Sequence, residues 1–389
     1  MRLKLDVINC SLFALAMALT VAGCNRASRK EAPVTGKSSD PAVAMPARWQ
    51  EGKRHIFRVE TVNSTQVPRK NTTRLIHSET SVGQDLAFSV TNAAPDGSRV
   101  LQMEILAVQM ETGRDDSITM SFDSANQVMQ VEDNPLTQRL RRFVGLKLFF
   151  RLSPENKVTR IDNVRDLNDR QSGGGNIRGA AASVISRCFT QQFYREIVEM
   201  DMLPKTPVKI GDRWTVDRPA NAGPGGSQFT STYTCTFAGW QEHMGTNCAR
   251  LEFTGEFKPA PPPPPKGSGT NTNNITIKPA PRPPSGKSLE DSEITGHSWY
   301  SPEHTLAIET IYHQSITAKS TVGRVRPATV SRTAGTNAAD VVDIEIDTNA
   351  PPPNPPGATN GPPPVATTVT TTTHQSTSIK LIEIELLQP

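Results

Sequence analysis

The chain lacks most of the features that announce chemistry or nucleic-acid binding. Its formal net charge is only +4 over 389 residues, and Lys and Arg are scattered without a basic stripe, so no nucleic-acid partner is expected. Past the first two dozen residues, no apolar run approaches the roughly 18 residues of a membrane-spanning helix. There is no H-E-x-x-H. His297, His304 and His313, with Glu290, Asp291 and Glu293 upstream, fit no common zinc spacing. Gly296-His297-Ser298 begins like the nucleophile elbow G-x-S-x-G but lacks its second glycine and sits in a β pattern, not at a strand-to-helix turn. Gly173-Gly174-Gly175-Asn176 precedes a helical pattern without the Lys and Ser/Thr of a phosphate loop. Asp115-Asp116 and Glu132-Asp133 lie at turns with no EF-hand spacing. No catalytic, cofactor-binding or metal-ligating residue can be nominated, and a non-enzymatic protein without a cofactor is expected.

What is present begins at the N terminus. Arg2 and Lys4 precede a mostly apolar stretch from Val7 to Val21, centred on Leu12–Leu19. That stretch is too short to span a bilayer and has the length of a secretory h-region. Ala22 and Gly23 supply the small side chains that a signal-peptidase cleft accepts, so residues 1–23 read as a signal peptide. Val21-Ala22-Gly23-Cys24 resembles the lipobox of bacterial lipoproteins. The resemblance implies lipid transfer to the Cys24 thiol, cleavage before Cys24 and acylation of the new amino terminus. One acyl chain holds a protein only marginally, at roughly 0.8 kcal/mol per buried CH₂. The three chains implied by the resemblance make attachment practically permanent. Asn25 stands where an Asp would favour inner-membrane retention, which implies the periplasmic side of an outer membrane. Arg26, Arg29 and Lys30 suit anionic head groups, and read equally well as solvated tether charges.

Hydrophobic residues make up 35% of the chain and prolines number 32, so part of it is not core-forming. Of five cysteines, Cys188, Cys235 and Cys248 remain once Cys10 leaves with the signal and Cys24 is lipidated. In an oxidising compartment a Cys235–Cys248 bridge would close a small loop worth roughly 3 kcal/mol. Strand parity opposes the bridge, because Cys235 falls on the face of Tyr233 and Phe237 whereas Cys248 alternates against Leu251 and Phe253. A bulge near Gly239 would restore the match, and the pairing stays open. Cys188 sits at core spacing and reads as an inert buried thiol.

Residues 24–47 are small, polar and proline-containing, and read as a flexible tether. From 48 to 389 one β-rich domain is expected, with proline-rich insertions at about 258–288 and 319–366. Alternation marks strands at 55–62, 86–91, 100–110 and 118–122, with Asp96-Gly97 as a hairpin signal. A short helix is expected from Pro135 to Val144, capped by Asn134 and ended by Gly145. Hairpins follow around Ser153–Asn156 and Ser301–His304. Ala181, Val184, Ile185, Cys188, Phe189, Phe193, Ile197 and Met200 recur at helical spacing and predict one long helix over 177–202. Strands are expected over 208–216, 229–240 and 248–257, a weaker one at 341–346, and a strong terminal one at 379–386. The fold class that follows is mainly β (α+β), a curved antiparallel sheet or open barrel with one long helix packed on it.

Leu203-Pro204-Lys205-Thr206-Pro207-Val208-Lys209-Ile210-Gly211-Asp212-Arg213-Trp214 resembles the P-x-x-P-V-x-x-G-D-x-W signature of an uncharacterised family of secreted bacterial proteins, many of them lipoproteins. Phe122-Asp123-Ser124, Phe143-Val144-Gly145 and Asn156-Lys157-Val158 match its upstream landmarks. That family lends no activity. Physically, Gly211-Asp212 is a turn and Trp214 a large anchor entering the next strand. The expected role is a lipid-anchored envelope protein that binds an apolar ligand or a partner protein. A scaffold whose proline-rich loops reach toward envelope partners is the second expectation, and a hydrolase with dispersed catalytic groups a distant third.

Overall fold

The computed structural model describes residues 32–68, 74–115, 117–126, 134–172, 180–220, 229–259, 287–322 and 367–387. The signal peptide, Cys24, Gly173–Asn176, Glu132-Asp133, Asp116, the 341–346 strand and nearly all of both proline-rich stretches lie outside them.

Twelve strands form one sheet: β1 (Lys53–Pro68), β2 (Leu75–Ala93), β3 (Arg99–Arg114), β4 (Ser117–Asp123), β5 (Lys147–Leu152), β6 (Val158–Asp162), β7 (Arg213–Ala220), β8 (Phe229–His243), β9 (Thr246–Pro259), β10 (Lys287–Ser301), β11 (Leu306–Val322) and β12 (Thr367–Leu386). Their spatial order is β6-β5-β3-β2-β1-β12-β11-β10-β9-β8-β7, with β4 also on β3. Every pairing is antiparallel. The terminal strands β6 and β7 are not paired with each other, so the sheet is open and is not a closed barrel.

The last strand is central. β12 pairs with β1 on one side and β11 on the other, joining two halves that are otherwise meanders in sequence order. The alternation in β1 explains the covered face. Phe57, Val59, Thr61 and Asn63 are buried, while Arg58 and Glu60 point the other way and Arg58 pairs with Asp85 of β2 at 2.8 Å.

Turn chemistry follows the sequence closely. Asp96 accepts from the Ser98 amide at 2.9 Å, and Gly97 has φ +87°. The β8–β9 loop is the pair Met244-Gly245, both at positive φ (51° and 78°) as a two-residue hairpin turn requires. These tight turns, with those at 153–156 and 301–305, leave one end of the sheet. The links 68–75, 220–229, 259–287 and 322–367 all leave the opposite end, because each joins a strand running down to one running up.

Four helices are described: α1 (Pro135–Phe143), α2 (Val164–Ser172), α3 (Ala180–Cys188) and α4 (Gln191–Glu199). Asn134 caps α1 by accepting from the Leu136 and Thr137 amides at 2.9 and 3.0 Å. The expected single helix over 177–202 is corrected to two. Thr190 leaves helical geometry (φ −111°, ψ 153°), and its hydroxyl accepts from the Phe193 amide at 3.1 Å as a new N-cap. The break lets both Phe189 and Tyr194 be buried. Helical spacing read across the break hides it, since residues on both sides are apolar. The α3–α4 pair is fastened to β2 through Gln84, whose amide donates to the Cys188 carbonyl at 3.1 Å and whose oxygen accepts from the Tyr194 hydroxyl at 2.9 Å.

The tether expected over 24–47 is corrected over its second half. Thr35 bridges Trp240 of β8, Val43 bridges Val208, and Met45 and Trp49 are buried. The Trp49 indole donates to the Val198 carbonyl at 3.1 Å and packs against Phe57 and Phe88. Small polar residues between these anchors disguise a segment that is tied down by a few large ones.

Candidate functional site

α4 roofs a small apolar cavity over the sheet. Phe193 and Ile197 of α4 face Tyr233 of β8, Phe253 of β9, Tyr312 of β11 and Ile379 of β12 across it. The free space is about 50 Å³. Ligand pockets run from roughly 300 Å³ upward, so a lipid chain enters only if α4 lifts.

One charged cluster borders this cavity. The Arg218 guanidinium of β7 donates through Nε to Asp201 at 3.0 Å, through Nη2 to the other Asp201 oxygen, lies 4.0 Å from Glu196 of α4, and stacks over Tyr233 at 5.2 Å. Burial works against the Arg218 charge, and Asp201 and Glu196 more than restore it, so its pKa is held above the ordinary value. Burial raises the pKa of Glu196. Helix, loop and sheet are thus tied by one cation where the helix ends. That end is itself unusual, since Met200 adopts the left-handed conformation (φ 47°) without being glycine.

The Val208–Trp214 motif supports the cavity's edge. The Lys209 amide donates to Asp212 at 2.7 Å, Gly211 has φ +91°, and the Trp214 indole donates to the Met202 carbonyl at 3.0 Å. The sequence reading of a turn followed by an anchor is correct. It missed Arg218, Asp201 and Glu196, which are scattered over three elements and carry no local signature.

Ser298 is buried on β10, with its hydroxyl 2.8 Å from that of Thr310 and donating to the Glu309 carbonyl at 3.2 Å. Gly296 is there for packing, because a Cβ would sit 2.3 Å from the Ile311 carbonyl oxygen and 2.5 Å from the Phe253 ring. His297 and His304 part company. His297 meets the Trp299 ring edge-on at 4.5 Å, whereas His304 influences the buried His55. Trp299 also stacks on His243 at 3.8 Å, and its indole donates to Gln241 at 2.8 Å. His243 lies 2.5 Å from Glu309. Burial opposes the Glu309 charge, and the His243 bond and Lys380 outweigh it, so the carboxyl titrates below its ordinary range. Among the described residues no group of three or more His, Cys, Asp or Glu could hold a metal.

Cys188, Cys235 and Cys248 are buried free thiols. The bulge considered at Gly239 is present, yet Cys235 lies opposite Phe253 and Cys248 opposite Gln241, so the Cys235–Cys248 bridge is not made. The sequence-derived lipidation residue Cys24 lies outside the described residues.

Comparison with known proteins adds one partial match. Residues 96–258 match the model of a family of unknown function, DUF6263. The match runs from the β2–β3 turn to the end of β9 and contains the Leu203–Trp214 segment together with its upstream landmarks. No curated protein matches. Among solved structures the chain is similar to one described as "Lipid-protein interactions in lipovitellin", at 11% identity and a TM-score of 0.40, covering 88% of this chain and 26% of that one. The chain therefore spans about a quarter of the length of that protein.

Proposed function

We propose that the chain is a lipid-anchored envelope protein, acylated at Cys24 on the periplasmic side of an outer membrane, that binds an apolar ligand or the apolar segment of a partner without catalysing a reaction. The observation that carries the binding reading is the apolar space between α4 and the sheet, bordered by Arg218 and Glu196. Its 50 Å³ sets the manner of binding: a guest larger than a few methylene groups displaces α4 from Phe253 and Tyr312. The lipobox and Asn25 support the anchor. Two measurements test the reading. Metabolic labelling with a tagged fatty acid should mark the wild type and not Cys24→Ala, and equal labelling removes the anchor. A fluorescent long-chain fatty acid should bind the purified protein and lose affinity at least tenfold in Ile197→Trp, which fills the cavity; unchanged binding removes the site.

A scaffold role is the second reading. It is favoured by the same small volume and by the departure of both proline-rich links from one end of the sheet.

A further inference from the structure

The N-terminal segment is fixed to the end of the sheet that carries the β2–β3, β5–β6, β8–β9 and β10–β11 turns. The Ala32 carbonyl accepts from the Gln241 amide, and Thr35 and Trp240 exchange backbone bonds at 2.7 and 2.9 Å. The chain is thus pinned beside β8 within a few residues of the Met244-Gly245 turn. Eight residue steps lead from Cys24 to Ala32, a reach of at most about 29 Å when fully extended. The links 259–287 and 322–367 leave the other end, roughly 65 Å away along the 20 residues of β12.

Exposed large apolar side chains occur at both ends: Leu75 (50%) and Ile118 (67%) at the link end, and four at the tight-turn end. Met244 is 47% exposed at the tip of the β8–β9 hairpin, Val34 lies beside that hairpin, and Leu386 (78%) and Leu387 end the central strand at the same level. Met244 occupies a positive-φ position that Asn or Gly fills at less cost, so turn geometry does not account for the methionine. Met45 and Trp49 of the 32–50 segment are buried at this end, while Val34, Met244, Leu386 and Leu387 keep 41–78% of their surface exposed.

We propose that the tight-turn end of the sheet, through Val34, Met244, Leu386 and Leu387, rests on the lipid surface that holds the anchor, and that the sheet stands upright with its opposite end away from the membrane. The inference rests on the reading that Cys24 carries lipid. Exposed apolar side chains gain from burial at a lipid head-group surface, and the short span from Cys24 keeps them within reach. A soluble protein partner is the competing occupant, and the test separates the two.

The test uses the full lipidated protein in vesicles of phosphatidylethanolamine and phosphatidylglycerol. Met244→Cys and, at the opposite end, Ile118→Cys each receive a fluorophore; Val34→Cys provides a second reporter should Met244→Cys fail to fold. The three native thiols are buried. Quenching by nitroxide-bearing lipids should be several-fold stronger for the label at 244 or 34 than at 118. On vesicles that carry the protein through flotation, equal quenching at the two ends, stronger quenching at 118, or none at either overturns the upright orientation while leaving the anchor standing. Failure to float with the vesicles overturns the anchor, and the orientation with it.

Discussion

Thr61 of β1 and Thr377 of β12 bring their hydroxyls to 3.3 Å across 316 residues of chain, both buried beneath the helices. The contact marks the seam where the two halves of the sheet are joined by the final strand. Next to it, Leu381 lies opposite Phe57 and both are buried, whereas Leu386 at the strand's end is exposed. Leu381→Ala should cost about 2–5 kcal/mol of unfolding free energy, and Leu386→Ala less than about 0.5 kcal/mol. Denaturant titration measures both. Equal effects would show that β12 is not an interior strand.

This placement was partly legible in the sequence. The alternation of 379–386 identified a strand whose apolar face needs a sheet, and the structure supplies neighbours on both sides. Its first dozen residues were not legible. Thr367–Ser378 is nearly all Thr, Ser and Gln, and its strand character comes from pairing with β1 and β11, not from an apolar face. The break at Thr190 was hidden for the opposite reason, because continuous apolar spacing on both sides masked a hydroxyl that restarts the helix. The cavity's cation was hidden because Arg218, Asp201 and Glu196 meet only in three dimensions, whereas the turn at Gly211-Asp212 is local chemistry and was visible.

His55 should shape the acid limb of stability. It is 1% exposed, its ring meets Trp49 edge-on at 5.7 Å, and its Nε2 has no hydrogen-bond partner. Burial first, then the charges of Lys53 and His304, lower its pKa from 6.5 to about 4. A depressed pKa means that the neutral form is favoured on folding. The contribution is therefore complete above about pH 6.5 and is lost as pH falls toward 4. A shift of this size corresponds to on the order of 3 kcal/mol. His55→Phe, which keeps a ring in place, should flatten that limb. Superimposable stability–pH curves between pH 6.5 and 4 would refute the assignment.

Gly296 should not tolerate a side chain. The Phe253 ring and the Ile311 carbonyl occupy the space of its Cβ, so Gly296→Ala forces two strands apart, at about 1–3 kcal/mol. Gly245→Ala, where nothing lies within 4 Å, tests φ strain alone. If Gly296→Ala costs no more than a surface change, the close approach of β9 and β10 is wrong.

The three mature thiols should be silent in the folded protein. Burial pushes Cys188 and Cys248 up to about 11 and Cys235 up to about 12. A thiol reagent at pH 8 should find none in native protein and three after denaturation without reductant. A count of one after denaturation would reveal a disulfide and contradict the three free thiols.

The central claim, an anchored protein that binds an apolar guest under α4, is tested most directly by mass spectrometry of protein recovered intact from native membranes. The account requires a stoichiometric non-covalent apolar guest, lipid or peptide, beyond the mass of the Cys24 acyl groups, and its loss in Ile197→Trp. Wild-type protein that carries the acyl groups and no guest at all would contradict it and leave the scaffold reading in its place.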